Sequence, residues 1–80
     1  MDDKTSLFDV NLVKKKVISA TLSEVYDALK ERGYNPINQL VGYIISGDPG
    51  YISSYQDARK KLVKFERAKV LEVLVSEFIK

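Results

Sequence analysis

The sequence has neither cysteine nor histidine among its 80 residues. Without cysteine, the chain can form no disulfide framework and can carry out no thiolate chemistry. Without histidine as well, most metal sites and most nucleophile–base pairs are excluded. Carboxylates could still act as acid and base, but nothing in the sequence brings two of them together in an apolar setting. An enzyme is therefore the weakest interpretation, and we expect no cofactor and no metal.

Long apolar runs are also lacking. No stretch approaches the roughly 18 apolar residues that a membrane span needs. The first eight residues, MDDKTSLF, are acidic and polar, so they do not resemble a signal peptide. We expect a soluble, cytoplasmic protein without membrane insertion. The net charge of +2 is mild and does not require a nucleic-acid partner.

The small size of the chain predicts one domain that gains from a partner copy. Eighty residues give a monomer only a marginal core. Burial between subunits would add to the stability of folding, so we expect a homodimer.

Glycine and proline are few, and all of them lie between Gly33 and Gly50. Asn35 followed by Pro36 is typical of a helix start, and Gly47 is typical of a left-handed residue that ends a helix. The apolar residues between these signals recur at helical spacing: Ile37, Leu40, Val41, Ile44 and Ile45. We predict a short central helix around which the longer helices pack, with Gly42 permitting a close approach.

Two longer helical segments flank this central helix. The first is predicted from about Leu12 to Arg32, ended by Gly33. The last third, about Tyr55 to Ile79, changes the phase of its apolar stripe by about 120° between its two halves. Either one helix presents two faces to two partners, or the helix breaks near residues 66–69. The predicted fold is an all-α domain of four to five helices over residues 12–80, preceded by a flexible regulatory tail over residues 1–11.

Thr5 is the most notable hydroxyl, because it lies in a polar tail that a protein kinase could reach. A phosphate there would add a charge of roughly −1.5 to −2 and could switch the docking of the tail. The plain alternative is an ordinary polar tail.

A group of basic residues is a second candidate site. We predict a partner-binding surface on Arg59, Lys60, Lys64 and Arg67, with Lys61 nearby. Lys60, Lys64 and Arg67 would share one side of a continuous helix. Such a surface could receive an acidic partner or a phosphorylated tail. The plain alternative is a solvated helix face.

Several segments of the chain form a specific pattern: GYNPINQ from Gly33, VGY from Val41, SGDP from Ser46, YI from Tyr51, DAR from Asp57 and ER from Glu66, preceded by Thr5 to Phe8 as a Thr-x-x-Phe tail motif. In these segments the chain resembles the IreB family of regulatory phosphoproteins of Gram-positive bacteria. The resemblance implies an all-helical homodimer that is not an enzyme. It also implies phosphorylation at Thr5 by a membrane Ser/Thr kinase with PASTA repeats, opposed by a PP2C-type phosphatase.

The resemblance further implies a role in cell-wall synthesis. The unphosphorylated form would promote ClpCP-dependent degradation of the UDP-N-acetylglucosamine enolpyruvyl transferase, and phosphorylation would relieve this degradation.

The chain departs from the family pattern at three positions. Ser53 and Ser54 stand where the family typically has Pro-Arg, and Val63 stands at a family arginine.

A small nucleic-acid-binding protein is the alternative function. The corner at Gly33 or Gly47 would then form a helix-turn-helix. The mild charge and the apolar helix after Gly33 argue against this reading, because a recognition helix needs side chains that read bases.

Overall fold

The described part of the chain forms four α-helices and two short 3₁₀ turns. The computed structural model describes residues 10–79, with the side chains of residues 12–79. The elements are α1 (Val10–Glu31), α2 (Pro36–Ser46), 3₁₀ turns at Pro49–Tyr51 and Tyr55–Asp57, α3 (Ala58–Leu62) and α4 (Arg67–Ile79). No strand occurs in this part of the chain. The all-α prediction with four to five helices is confirmed.

The corner after α1 is built by a left-handed glycine. Gly33 has φ of 90°, and its N–H donates to Lys30 O at 3.0 Å. The N–H of Tyr34 donates to Leu29 O at 2.9 Å. These two bonds form a Schellman motif, which satisfies carbonyls that the helix end would otherwise leave without partners. The predicted end of the first helix is confirmed, one residue earlier than expected.

The start and the end of α2 also follow the predicted signals. Asn35 Oδ1 accepts the N–H of Asn38 at 3.1 Å, and Pro36 is the first helical residue. At the other end, Gly47 has φ of 77° and donates to Tyr43 O at 2.7 Å. Both ends are therefore closed by local chemistry.

The core combines all four helices with one loop residue. The fully buried side chains are Val25 and Leu29 of α1, Ile52 of the loop, Leu62 of α3 and Val70 of α4. None of these belongs to α2, which contributes Leu40 and Tyr43. The prediction that α2 forms the centre of the packing was therefore wrong. The long helix α1 has this role instead, because it contacts each of the other three helices.

One side of the apolar stripe on α2 faces outward. Ile37, Val41 and Ile45 are exposed, whereas Leu40 is buried and Ile44 is half-buried. The eleven residues of α2 contain three apolar positions that the rest of the described chain does not cover.

The last third of the chain is broken between α3 and α4. Residues 63–66 form a turn in which the Phe65 N–H donates to Leu62 O, and Glu66 O accepts from Lys69 and Val70 to begin α4. The predicted break is confirmed, a few residues earlier than expected. The alternative of one continuous helix was wrong, and with it the single helical side for Lys60, Lys64 and Arg67.

The break leaves α4 with two apolar sides. Val70 and Val73 are buried, while Leu71, Val75 and Phe78 are exposed. Leu71, Val75 and Phe78 thus form an apolar outer side of α4, beside the half-buried Leu74. Helical periodicity could not decide which side enters the core, because both are apolar.

The boundary of the predicted tail differs slightly in the structure. Helix α1 begins at Val10, so the last two residues of the predicted 1–11 segment are helical. Thr5 lies outside the described residues.

Candidate functional site

Arg59 is held in a defined orientation by the loop that precedes its helix. Its Nε donates to Ile52 O at 2.8 Å, and Ile52 is itself fully buried. Within residues 10–79 the structure gives the Arg59 side chain no other hydrogen bond or ion pair. A guanidinium fixed through Nε can still present its two terminal nitrogens to a carboxylate or phosphate.

Two unusual residues place Arg59 at the start of α3. Gln56 has φ of 50° and Asp57 has φ of 61°, both in the left-handed region. The Arg59 N–H also donates to Ser53 O at 3.1 Å. The chain therefore turns sharply between Ser53 and Arg59, and the side chain of Arg59 returns to the loop that it has just left.

Arg67 is held in a similar way at the start of α4. Its Nη1 donates to Ile44 O at 2.8 Å, near the end of α2. The guanidinium lies against Gly47: a Cβ built there would be 2.8 Å from Arg67 Cζ. The left-handed corner of α2 therefore leaves room for this arginine, which joins α4 to α2.

The lysines of the predicted surface do not form one row with the arginines. Lys60 lies on α3 and is exposed, with no hydrogen bond or ion pair to the described part of the chain. Lys64 lies in the turn after α3 and lines a groove beside Val13 and Val17 of α1. The structure therefore places Lys64 against α1, whereas Arg67 contacts α2. Lys61 pairs with Glu24 of α1 at 3.3 Å.

One contact near Arg59 was not predicted from the sequence. Gln39 Oε1 of α2 accepts the N–H of Ser53 at 2.9 Å. A proline at this position would have no N–H to donate. Ser53 therefore allows a bond between α2 and the loop that proline would not. Ser54 and Val63, uncharged residues close to Arg59 in sequence, are exposed.

The helix that would read DNA in the alternative function has no basic side chain. Helix α2 has the sequence PINQLVGYIIS, which contains no lysine or arginine to pair with phosphates. Its exposed positions include Ile37, Val41 and Ile45, which cannot bond to base edges. Asn38 is also exposed and could contact a base, but it stands beside these apolar side chains.

Residues 10–79 contain neither a cluster of metal-binding side chains nor a helix that could span a membrane. No group of three or more acidic, histidine or cysteine residues within 10–79 could hold a metal ion. Among the same residues, no helix is both long enough and apolar enough to cross a membrane.

A family model decides the classification. The model described as "IreB regulatory phosphoprotein" matches residues 3–80. The chain belongs to the IreB family. The match includes Thr5 as well as the helical domain, so the resemblance drawn from the central block is confirmed. Membership of a family of regulatory phosphoproteins indicates a regulatory role with protein partners.

In this IreB family member, the structure brings only some of the predicted site residues close to one another. Arg59 and Arg67 are each anchored to a main-chain carbonyl, while Lys60 and Lys64 are free of partners in the described chain. Gln39 was not predicted to be a site residue, although a polar side chain on the largely apolar helix α2 could have indicated a hydrogen bond to another segment. Lys14, which lines the groove together with Lys64, was not predicted either.

Proposed function

We propose that this chain is a non-enzymatic adaptor whose binding to a protein partner is controlled by phosphorylation of Thr5. The kinase is a membrane Ser/Thr kinase with PASTA repeats, and a PP2C-type phosphatase reverses its action in the cytoplasm. The observation that supports the proposal most strongly is the family match over residues 3–80, which includes the tail with Thr5.

The proposed partner surface comprises Arg59 and Lys60 of α3, Lys64 of the following turn and Arg67 at the start of α4. Arg59 is already oriented by its bond to Ile52 O, so less side-chain entropy is lost when it binds an acidic group. Lys60 adds charge next to it on α3. An acidic segment of a partner protein is the chemistry that this surface fits best.

The regulated process is synthesis of the peptidoglycan precursor. The unphosphorylated chain promotes degradation of the UDP-N-acetylglucosamine enolpyruvyl transferase by ClpCP, and phosphorylation at Thr5 relieves this degradation. A small helical chain that presents an oriented arginine is suited to binding an acidic segment of a protein.

The adaptor is a homodimer that uses the outer side of α4. Leu71, Val75 and Phe78 are exposed there, and burying such residues against a second copy would be favourable. Leu71→Glu should convert the dimer to a monomer in size-exclusion chromatography with light scattering. Ile37→Glu, a change on the outer side of α2, is the matched control. A dimer lost only in the Ile37 variant would assign the interface to α2 instead.

The phosphorylation site is tested by mass spectrometry after incubation with a PASTA-type kinase. We expect one phosphate on Thr5 and none in Thr5→Ala, which should keep its helical circular dichroism. Phosphate found only on Ser53 or Ser54, or none at all, would contradict the proposed switch.

The partner surface is tested by degradation of the transferase with purified ClpCP. Arg59→Ala should slow this degradation, whereas Arg32→Ala should not. Arg32 is the matched control because it is also exposed, and its guanidinium lies 5.6 Å from the ring of Tyr55 rather than on the proposed surface. Equal rates for the wild type and Arg59→Ala would exclude Arg59 from the partner surface.

A further inference from the structure

A groove runs between the first half of α1 and the turn that joins α3 to α4. It encloses about 460 Å³. Its apolar lining comes from Val13, Val17 and Ile18 of α1 and from Phe65 of the turn. Val13 and Val17 remain 41% and 49% exposed, so the groove offers apolar surface that the described chain does not bury.

The rim of this groove is mainly positive. Lys14 of α1, Lys64 of the turn and Lys69 of α4 line it, together with one carboxylate, that of Glu66. Lys69 is partly engaged, because its Nζ lies 3.1 Å from Glu72 Oε1. Lys14 and Lys64 have no ion pair within residues 10–79, so their charge is available to an anion.

Residues 1–9 carry the chemistry that complements this groove. The segment MDDKTSLFD contains three aspartates and one lysine, and it has an apolar pair at Leu7 and Phe8. Phosphorylation of Thr5 would add a further charge of roughly −1.5 to −2. The segment thus combines apolar side chains with negative charge, as the groove combines an apolar floor with a positive rim.

The segment also joins the described chain beside the groove. Helix α1 begins at Val10, and Val17 lies about 10 Å further along the helix axis at a rise of about 1.5 Å per residue. An extended chain covers about 3.3 Å per residue, so the five residues from Thr5 to Asp9 can reach back about 16 Å. The segment from Thr5 to Asp9 is therefore long enough to span the part of α1 that lines the groove, from Val13 to Ile18.

We propose that, when Thr5 is phosphorylated, residues 1–9 fold back into this groove on their own chain. Leu7 and Phe8 cover Val13, Val17 and Phe65, and the phosphate lies between Lys14 and Lys64. The groove is distinct from the proposed partner surface, although Lys64 belongs to both. Docking of the tail therefore removes Lys64 from the partner surface. This inference rests on Thr5 being the phosphorylated residue of the proposed function.

The test uses the full chain with phosphothreonine installed at position 5 during synthesis, so that its outcome does not depend on any kinase. NMR spectra are compared with those of the unmodified chain. We expect chemical-shift changes at the methyl groups of Val13 and Val17 and at the amide of Phe65. Changes confined to residues 1–10, or centred on residues 53–60, would overturn the proposed groove.

Charge reversal gives a second readout. Nearby ammonium groups favour the dianion, so they should lower the second pKa of the phosphate below its usual value of about 6 in a ³¹P titration. Lys14→Glu with Lys64→Glu should return this pKa to its usual range and remove the shifts at Val13. Both lysines are exposed, so the core should remain intact.

Lys60→Glu is the matched control for charge reversal, because Lys60 is exposed and lies on α3 outside the groove. It should leave both readouts unchanged. Loss of both readouts in Lys60→Glu alone would place the phosphate at the Arg59 surface and contradict the proposal.

Docking of the tail on a second copy of the chain is the remaining alternative. It is tested with a mixture of isotope-labelled unmodified chain and unlabelled phosphorylated chain. Shifts in the labelled chain would show docking on a partner copy and would refute docking on the same chain.

Discussion

The two sides of α4 give a direct test of the packing, because the helix carries valine on both. Val70 is fully buried and Val75 is 46% exposed. The same substitution, valine to alanine, can be made at both positions of one helix. The gain in helix propensity is then common to the two variants, and the difference between them reports burial alone.

The expected magnitudes follow from the buried area. Replacing valine by alanine removes two methyl-sized groups, which is about 1.6 kcal/mol at roughly 0.8 kcal/mol each when both are buried. Alanine returns about 0.5 kcal/mol through its better helix propensity, and the cavity left at Val70 adds an unfavourable contribution. Val70→Ala should therefore lower the free energy of unfolding by about 1–2 kcal/mol. In the monomer, Val75→Ala should change it by less than about 0.5 kcal/mol, because nearly half of the Val75 side chain meets water there. In the proposed dimer, which buries Val75, the loss should be larger.

The assay is urea unfolding followed by circular dichroism, at two protein concentrations. For a domain of this size, each kcal/mol also corresponds to about 4–8 °C in the melting temperature. A loss for Val75→Ala that changes with concentration would report the dimer, since only association depends on concentration. A concentration-independent loss at Val75 equal to that at Val70 would refute the assignment of the two sides of α4.

Substitutions at three further positions test the two ends of α2 and its bond to the loop, each by the same unfolding assay. Asn35→Ala removes the acceptor at the start of α2 and should cost about 1 kcal/mol, whereas Asn35→Asp should cost much less. Gly47→Ala forces a side chain into the left-handed region, which costs about 1–2 kcal/mol, and it crowds the Arg67 guanidinium 2.8 Å away; an unchanged stability would contradict both reasons. Gln39→Leu leaves the Ser53 N–H without its acceptor and should cost about 1–3 kcal/mol, while Gln39→Glu, which retains an acceptor, should come close to the wild type.

Local chemistry explains which parts of the fold could be predicted. The end of α1 at Gly33 and the bounds of α2 at Asn35 and Gly47 depend on residues within five positions of one another. Such signals are complete within a short segment of sequence. The break between α3 and α4 was predictable for a similar reason, because it appears as a change of phase in the apolar pattern.

Long-range packing explains what could not be predicted. The central role of α1 and the side of α4 that enters the core depend on which apolar faces meet, and several faces were equally apolar. Gln56 and Asp57 adopt left-handed backbone conformations although neither is glycine, so the sequence gives no sign of this turn. At the site, the residue types were predicted, but the anchoring of Arg59 to Ile52 and of Arg67 to Ile44 is tertiary and has no local signature.

The cross-links between segments have a consequence for how such a domain can diversify. Gln39, Arg59 and Arg67 each end on a main-chain atom of another segment, not on a side chain. A carbonyl is offered by every amino acid, and an N–H by every one except proline. The residues that contribute these main-chain atoms, such as Ile44 and Ser53, can therefore be substituted without loss of the hydrogen bonds, except by proline at Ser53. A protein built in this way can alter the specificity of its outer surface over evolutionary time while its architecture stays the same.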